Sequence, residues 1–547
     1  MTDTFDYVVI GAGSSGSVVA GRLVEMSDAT VCVLEAGPPD RHPFIHIPAA
    51  VVYTLANPAI NWMYPTEPGW GTAGRSLVQS RGKTLGGSGS INGHVYTRGH
   101  RNDFDSWAAM GNPGWSYRDV LPYFKRSERR IGEGDDGYRG RQGPFVITDI
   151  DEPDALCEAF MDAAGSLGIP RNPDYNGAAQ DGIAYVQRSI YRGRRVSPAS
   201  AFLHPARKRG NLDLRTRAHV TQIIFEGRRA AAVRYRRGDR NEVIRARREI
   251  VLCGGAIASP HLLQISGIGA PDLLNGIGVP VVRPSAGVGE NLRDHFAARL
   301  VARIRGLPTI NERVRGLGIV KEVARYALTR RGALALTPTL VYCFWKSSPR
   351  LPCGDIQVSF TPASYPAGVW SGLDRFPGAT IGCWQQRPRS AGYVRARSAD
   401  PFDQPIFQPN YLAEEEDRQA LVAAMRLGRQ LMQSEPFARY VEKELWPGAA
   451  AQSDEALLEH ARKTGNTTYH PMGSCRMGPA ERTDTVVDCQ LRVHGVQGLR
   501  VADASIMPTM PAANTNAAAL MIGEKAADLI LGREPLQPED PDHPTEQ

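Results

Sequence analysis

Several features that would place a chain quickly are missing from this one. Its cysteines (Cys32, Cys157, Cys253, Cys343, Cys353, Cys383, Cys475 and Cys489) include no C-x-x-C pair, which excludes zinc-ribbon spacing and a thioredoxin-like redox pair. Several sit in apolar runs such as VCVLEAG and IVLCGGA, where a reduced, buried thiol is the default. That usage fits a reducing compartment. No long block of lysine and arginine occurs, and the net charge of +7 is mild for 547 residues. The densest basic run, Arg234 to Glu249, is broken by acids and apolar residues. It reads as a solvated strand pair and its turn, not as a nucleic-acid stripe. No apolar stretch approaches the ~20 residues of a membrane-spanning helix. The opening MTDTFDYVVIGAG lacks a basic leader, and its apolar run leads into a glycine-rich turn. A soluble, cytoplasmic protein without a nucleic-acid partner is expected. With 42% hydrophobic residues, 56 glycines and 40 prolines, the composition suits a loop-rich α/β protein of two or more domains.

The stretch YVVIGAGSSGSVVAGRLVE carries the first positive signal. Tyr7 to Ile10 is a short apolar run of the kind that forms a buried parallel strand. Gly11, Gly13 and Gly16 then fit G-x-G-x-x-G, and Val18, Val19, Leu23 and Val24 recur at helical spacing. A second buried strand, ATVCVLEAG, ends in Glu35, nineteen residues past Gly16. Strand, glycines, helix, strand and acid in this order form a dinucleotide cradle. Gly11 permits the turn, Gly13 lets the backbone approach a pyrophosphate, Gly16 lets the helix pack close, and Glu35 meets a ribose. Ser14, Ser15 and Ala36 complete the candidate contacts. The acid does not by itself separate FAD from a nicotinamide cofactor.

Further along, SRGKTLGGSGSINGHVYTRGHRNDFDSWAAMGNPGWSYRDVLPYF (Ser80–Phe124) resembles the flavin-binding signature of the glucose–methanol–choline (GMC) oxidoreductases. GGAIASPHLLQISGIG, AGVGENLRDH, NTTYHPMGSCRMG and GLRVADASIMPTMPAANTNAAALMIGEKAADLI follow in the order and spacing of that family, so the resemblance covers residues 5 to about 532. It implies bound FAD in an α/β fold: a discontinuous Rossmann-like FAD-binding domain beside a substrate domain built on an antiparallel sheet covered by helices. The expected division is 1–150, 195–300 and 470–535 for the FAD domain, 151–194 and 301–469 for the substrate domain, and a disordered tail at 536–547. The tail is Pro-rich and acidic. Alternating or apolar runs predict strands at GPFVITDI, DIQVSF and TIGCWQQRP, and EEEDRQALVAAMRLGRQLMQS predicts an amphipathic helix. By resemblance Arg81, Gly86, Gly87, Ser90, Asn92 and Gly93 line the cofactor, Val220 holds the adenine through its backbone, and Asp503 and Ala504 lie at the ribityl and pyrophosphate. Asn514 and Thr515 open a helix aimed at the flavin. The position of the histidine that some members bond covalently to FAD is Ile91 here, so the FAD is expected to be noncovalent.

A flavin does not deprotonate an alcohol, so the protein must supply a base, and histidine suits that task near neutral pH. His470 matches the family's catalytic histidine, and Asn514 matches the His or Asn that supports the substrate oxygen. Rival readings of His470 have less behind them. Zinc finds only Cys475 nearby, short of four ligands. A serine hydrolase needs a G-x-S-x-G elbow that GSGSING does not form. The expected reaction oxidises a primary alcohol to an aldehyde, with oxygen or another electron acceptor as the second substrate. Choline is the alternative substrate. Choline-specific members place a carboxylate in the substrate domain, whereas Gly332 to Lys346 has no Asp or Glu and offers Tyr342, Phe344 and Trp345. A noncatalytic flavin-fold binding protein is the alternative of a different class, and a nicotinamide-dependent dehydrogenase fits the first forty residues alone.

Overall fold

A computed structural model describes residues 3–366 and 372–542. Its first sheet is parallel at its centre. The strands run in the order Leu212–Thr216, Val31–Glu35, Asp3–Ile10, Arg240–Leu252, and Leu499–Val501 pairs with the end of the last of these. Val31–Glu35 is buried along its whole length, as a strand covered on both faces requires. The other half of the long strand Arg240–Leu252 turns antiparallel and joins Arg229–Arg237 and Ala218–Glu226 in a meander. The parallel strands end at Ile10, Glu35, Thr216, Leu252 and Val501 on one edge of the sheet, the edge where open α/β sheets take their ligands.

Helix Ser14–Met26 follows the first strand and packs on the final helix, Thr515–Leu531. The two approach closely at Gly523, where a Cβ would lie 2.8 Å from Ser15 O and from Val18 Cβ. Glu524, fully buried on the same helix, ties this layer together. Arg22 Nε donates to it at 2.9 Å and Arg126 Nε at 2.7 Å.

The second sheet is antiparallel. Its order is Val441–Trp446, Phe296–Ile304, Gly378–Gln385, Ile356–Thr361, Val341–Trp345, Gly182–Tyr185. The period of two along each strand divides its faces. Ala298, Leu300, Val341, Cys343, Val358, Phe360, Ile381 and Cys383 pack under helices Ala155–Ser166, Glu415–Gln433 and Asp454–Thr464. The opposite face carries Ala297, Arg299, Tyr342, Ser359, Thr380 and Trp384 toward the first sheet. Glu415–Gln433 lies close to the sheet because Gly428 has no side chain; a Cβ there would meet Leu300 Cδ1 at 2.8 Å.

Three expectations need correction. Phe145–Ile147 is a strand, but it pairs with Glu128–Arg130 in a separate parallel ribbon and packs in the core of the first domain. The strand Phe296–Ile304 crosses the boundary expected at residue 300. The tail from 536 to 542 is held on the surface of the first domain: Leu536 N–H donates to Tyr123 OH at 3.2 Å, Glu539 N–H donates to Arg118 O at 2.9 Å, and Asp542 pairs with Arg101. Residues 543–547 lie outside the described residues.

Removing the shared carboxylate in Glu524→Ala leaves Arg22 without its buried partner and Arg126 with Asp528 and the backbone carbonyl of residue 524. A loss of about 3 kcal/mol is expected, seen as a lowered thermal midpoint; an unchanged midpoint would show that the pairings contribute nothing.

Candidate functional site

A cavity of about 500 Å³ lies between the C-terminal edge of the parallel sheet and the open face of the antiparallel one. At one end Gly11 turns with φ +95°, and a Cβ on it would sit 2.6 Å from Cys253 O. Gly87 is equally confined, 2.6 Å from Gly13 Cα. Gly13 differs. Its φ is ordinary (−72°), and the nearest atom to a Cβ there is Cys253 O at 3.9 Å. The protein would therefore tolerate a side chain at Gly13, and the space it leaves belongs to the cavity. Helix Ser14–Met26 begins at this point with no side-chain cap, so its first N–H groups are available to an anion. Glu35 accepts from Ala12 N–H at 2.9 Å and Gly37 N–H at 2.8 Å, each oxygen keeping a lone pair for a hydroxyl. Burial raises its carboxyl to about 7. Beyond it, Val220 and His261 line the wall, and the buried His261 Nε2 has no partner among the described residues. A diphosphate at Gly13, a ribose at Glu35 and a flat base near His261 fit these groups.

At the other end stands His470. Its Nε2 lies 2.8 Å from Asn514 Nδ2, although the two residues are 44 apart in sequence. Its Nδ1 lies 3.0 Å from His295 Nδ1 and 2.9 Å from Thr468 Oγ1. This contact fixes the tautomer. His295 Nε2 is 2.6 Å from Gln386 O. A carbonyl only accepts, so His295 carries its proton on Nε2 and its Nδ1 is bare. His470 must then donate from Nδ1, which leaves its Nε2 as a lone pair facing Asn514 and the cavity. Both rings are held neutral: burial pushes His295 down to about 4 and His470 well below the ordinary histidine value, with His295 and Arg81 adding to the latter. Asn514 caps helix Thr515–Leu531 without using its side chain, so its amide is free for the site.

Asp294 holds this corner in place. Its Oδ1 accepts from His470 N–H at 2.7 Å and His295 N–H at 3.0 Å. Its Oδ2 accepts from Tyr411 OH at 2.5 Å, Thr467 Oγ1 at 2.6 Å and Gln79 Nε2 at 3.1 Å. The pairing of Phe296 with Thr467 brings the two segments side by side.

Of the residues singled out from sequence, Gly11, Gly13, Ser14, Ser15, Glu35, Ala36, Arg81, Gly87, Asn92, Gly93, Val220, His470, Asp503, Ala504, Asn514 and Thr515 all line this one cavity. Gly16, Gly86 and Ser90 do not. Gly16 lets the helix approach the strand, with a hypothetical Cβ 2.0 Å from Gly11 O. Gly86 and Ser90, expected at the cofactor, brace the loop instead: Ser90 Oγ donates to Leu85 O at 2.6 Å, and Gly86 turns with φ +81°. Arg81 donates to Tyr469 O at 2.5 Å, so it also positions the loop before His470. Asp503 is occupied by Gly255 N–H, Ser259 Oγ and Ser505 N–H. Of the three aromatics expected near the substrate, Tyr342 lines the cavity, Phe344 packs behind it, and Trp345 faces the helices. Sequence reasoning missed His295, Asp294, Thr468 and Trp384. AGVGENLRDH contains the first two, but nothing local tells which residues they meet.

Asp294→Asn replaces an acceptor of five donors by a group that must itself donate. Leaving buried donors unpaired costs about 1–3 kcal/mol each, so faster amide exchange at residues 466–470 and a lower thermal midpoint are expected. Unchanged exchange in that segment would remove Asp294 from this role.

Two profiles of the GMC oxidoreductase family match residues 5–297 and 388–523. An oxygen-dependent choline dehydrogenase of Brucella anthropi is 39% identical over 533 residues, covering 97% of this chain and 96% of the relative. One from Chromohalobacter salexigens is 40% identical over 541 residues, with coverage of 97% and 96%. Among solved structures, pyridoxine 4-oxidase from Mesorbium loti superposes with a TM-score of 0.87 at 30% identity, over 97% of this chain and 99% of that one. A formate oxidase gives a TM-score of 0.89 at 26% identity, over 97% and 98%. With the cradle, the His470–Asn514 pair and these matches in hand, the chain belongs to the GMC oxidoreductase family, the FAD-dependent oxidoreductases that act on CH–OH donors.

Proposed function

We propose that this protein oxidises a neutral primary alcohol to the aldehyde, with His470 Nε2 as the proton acceptor and FAD held noncovalently. The observation that carries the reading is the bare Nε2 of His470, fixed in the cavity by the Gln386–His295–His470 chain of hydrogen bonds. FAD, when bound, supplies the acceptor for the α-hydrogen and its two electrons. Gly13 and the helix end at Ser14 would hold its diphosphate, Glu35 its ribose, and the start of helix Thr515–Leu531 would face the flavin with a positive dipole. Ile91 stands at the family's covalent position and has no nucleophile. A substrate hydroxyl that displaces the direct 2.8 Å contact of Asn514 Nδ2 with His470 Nε2 would give its proton to the histidine and accept a hydrogen bond from the amide. The enclosure excludes water, which keeps the imidazole neutral and ready to accept. Oxygen or another electron acceptor would be the second substrate.

The substrate side of the cavity favours a neutral molecule with an apolar or aromatic body. Tyr342 and Trp384 meet edge to face at 5.8 Å, and Trp384 Nε1 is buried without a partner among the described residues. The carboxylates lining the cavity are Glu35, Asp403 and Asp503, none of them on the antiparallel sheet, while Arg299 puts a cation there. The likeness to pyridoxine 4-oxidase supports an aromatic alcohol. Choline is the second reading, favoured by the 39–40% identity to choline dehydrogenases and by aromatic rings able to hold a cation. Arg299 opposes it electrostatically.

Anaerobic mixing of the FAD-replete protein with a panel of alcohols tests this reading. Neutral aromatic and aliphatic primary alcohols should bleach the flavin faster than choline; failure of every alcohol would overturn it. His470→Ala should keep FAD and slow reduction by ~10²–10⁴, and Asn514→Ala should slow it less. Because the active base is the neutral ring and its pKa lies well below the ordinary histidine value, wild-type reduction should be flat through neutral pH. It should fall only as the solution becomes acid enough to protonate Nε2, and the His470→Ala variant should lack that fall.

Acid precipitation should leave intact FAD in the supernatant. Flavin retained in the pellet would contradict noncovalent attachment.

A further inference from the structure

Helix Leu317–Thr329 is amphipathic in the reverse sense to the other helices of this protein. Its buried residues, Glu322 and Tyr326, are polar and engaged inward. Glu322 accepts from Ala333 N–H at 2.7 Å and pairs with Arg313 at 3.3 Å, and Tyr326 OH donates to Gly193 O at 2.8 Å. Arg325 turns to Glu152 at 2.7 Å. The face left to solvent is apolar: Leu317 is 88% exposed, Val320 62% and Leu328 86%, with Ile319, Val323, Ala324 and Ala327 exposed between and beside them. At 100° per residue these positions form one continuous stripe. A surface helix ordinarily buries such a stripe, and a contiguous exposed one marks an interaction surface.

The charge around the stripe decides its partner. Arg315, Lys321, Arg330 and Arg331 are exposed in and beside the helix, whereas of the acids in the same stretch Glu322 is buried and Glu312 caps the preceding turn. A second copy of the chain would bring these like charges together along a two-fold axis. An anionic lipid surface would complement them, with the apolar stripe set into the boundary of headgroups and acyl chains. The loop after the helix strengthens the case. Ala333–Ala335 packs against Pro48–Ala50, a segment flanked by the exposed Phe44 and Tyr53, whose rings lie 5.1 Å apart. Pro338 and Thr339, next in sequence, line the cavity.

We propose that helix Leu317–Thr329 docks the protein peripherally on an anionic bilayer, setting the loop that borders the cavity against the membrane surface. The inference is independent of which alcohol the site oxidises. Among the described residues no helix is long and apolar enough to cross a membrane, so the attachment is interfacial and reversible.

Co-sedimentation of the FAD-bound protein with vesicles tests it. The protein should pellet with phosphatidylcholine vesicles containing phosphatidylglycerol, pellet less with phosphatidylcholine alone, and be released by high salt. The double variant Val320→Glu/Leu328→Glu should keep its flavin spectrum and alcohol-dependent bleaching while losing the vesicles. Arg330→Glu/Arg331→Glu, which leaves the stripe intact, should lower partition by about tenfold or more, since each basic residue near such a surface contributes on the order of 1 kcal/mol. Absence of wild-type binding, or binding that both variants retain, would overturn the proposal. So would a stable dimer in sedimentation velocity that Val320→Glu/Leu328→Glu converts to monomer without any lipid binding.

Discussion

The site depends on one buried carboxylate. Asp294 accepts hydrogen bonds from two backbone N–H groups, two hydroxyls and one amide drawn from four separate stretches of chain. An ionised carboxylate accepts on both oxygens and has no proton to misplace. Burial raises its pKa, while the hydrogen bonds from Thr467, Tyr411 and His470 oppose that rise. Through these bonds it sets the backbone of His295 and His470 at once, and the contact between their rings follows. The protonation of His470 is thus decided two residues away, at Gln386 O, by a carbonyl that can only accept.

The two sheets serve complementary purposes. The parallel sheet ends its strands on one edge and so gathers backbone N–H groups, the helix terminus and Glu35 where a charged, polar ligand can lie. The antiparallel sheet gives one face to helices and keeps the other for the cavity, where Tyr342, Trp384, Ser359 and Arg299 are held at strand precision. Enclosure between them desolvates His470. The same burial that disfavours the imidazolium keeps the ring neutral, so water exclusion and protonation state are set by one feature.

The reversed helix Leu317–Thr329 lies outside this economy of burial. Its polar residues are used to fasten it to Gly193, Glu152 and the Ala333 turn, which frees its apolar side. A folded chain that buries Glu322 and exposes Leu328 has that arrangement imposed by its neighbours, since burial of the apolar stripe would otherwise be favoured.

Sequence alone determined what contiguous residues can encode. The first strand, its glycine turn and the following helix were legible because a positive φ at Gly11 and a period-3.6 apolar face are local demands. Family-like motifs carried His470 and Asn514 to the site, and the other positions drawn from sequence share no more than short stretches with one another yet meet at one cavity or brace it. Tertiary structure decided the rest. His295 and His470 are 175 residues apart, and the antiparallel pairing of Phe296 with Thr467, together with Asp294, makes them neighbours. Gly86 and Ser90 sit in a motif that touches the cavity at Gly87 and Asn92, and which member faces inward is set by backbone direction within the folded loop. Phe145–Ile147 alternates like a strand of the substrate sheet, but pattern names no partner, and Glu128–Arg130 claimed it. The acidic tail has a disordered composition, and Arg101, Lys125 and Arg118 on the folded surface hold its first part. In each case the missing information is which distant groups share a volume, and that exists only once the chain has crossed itself.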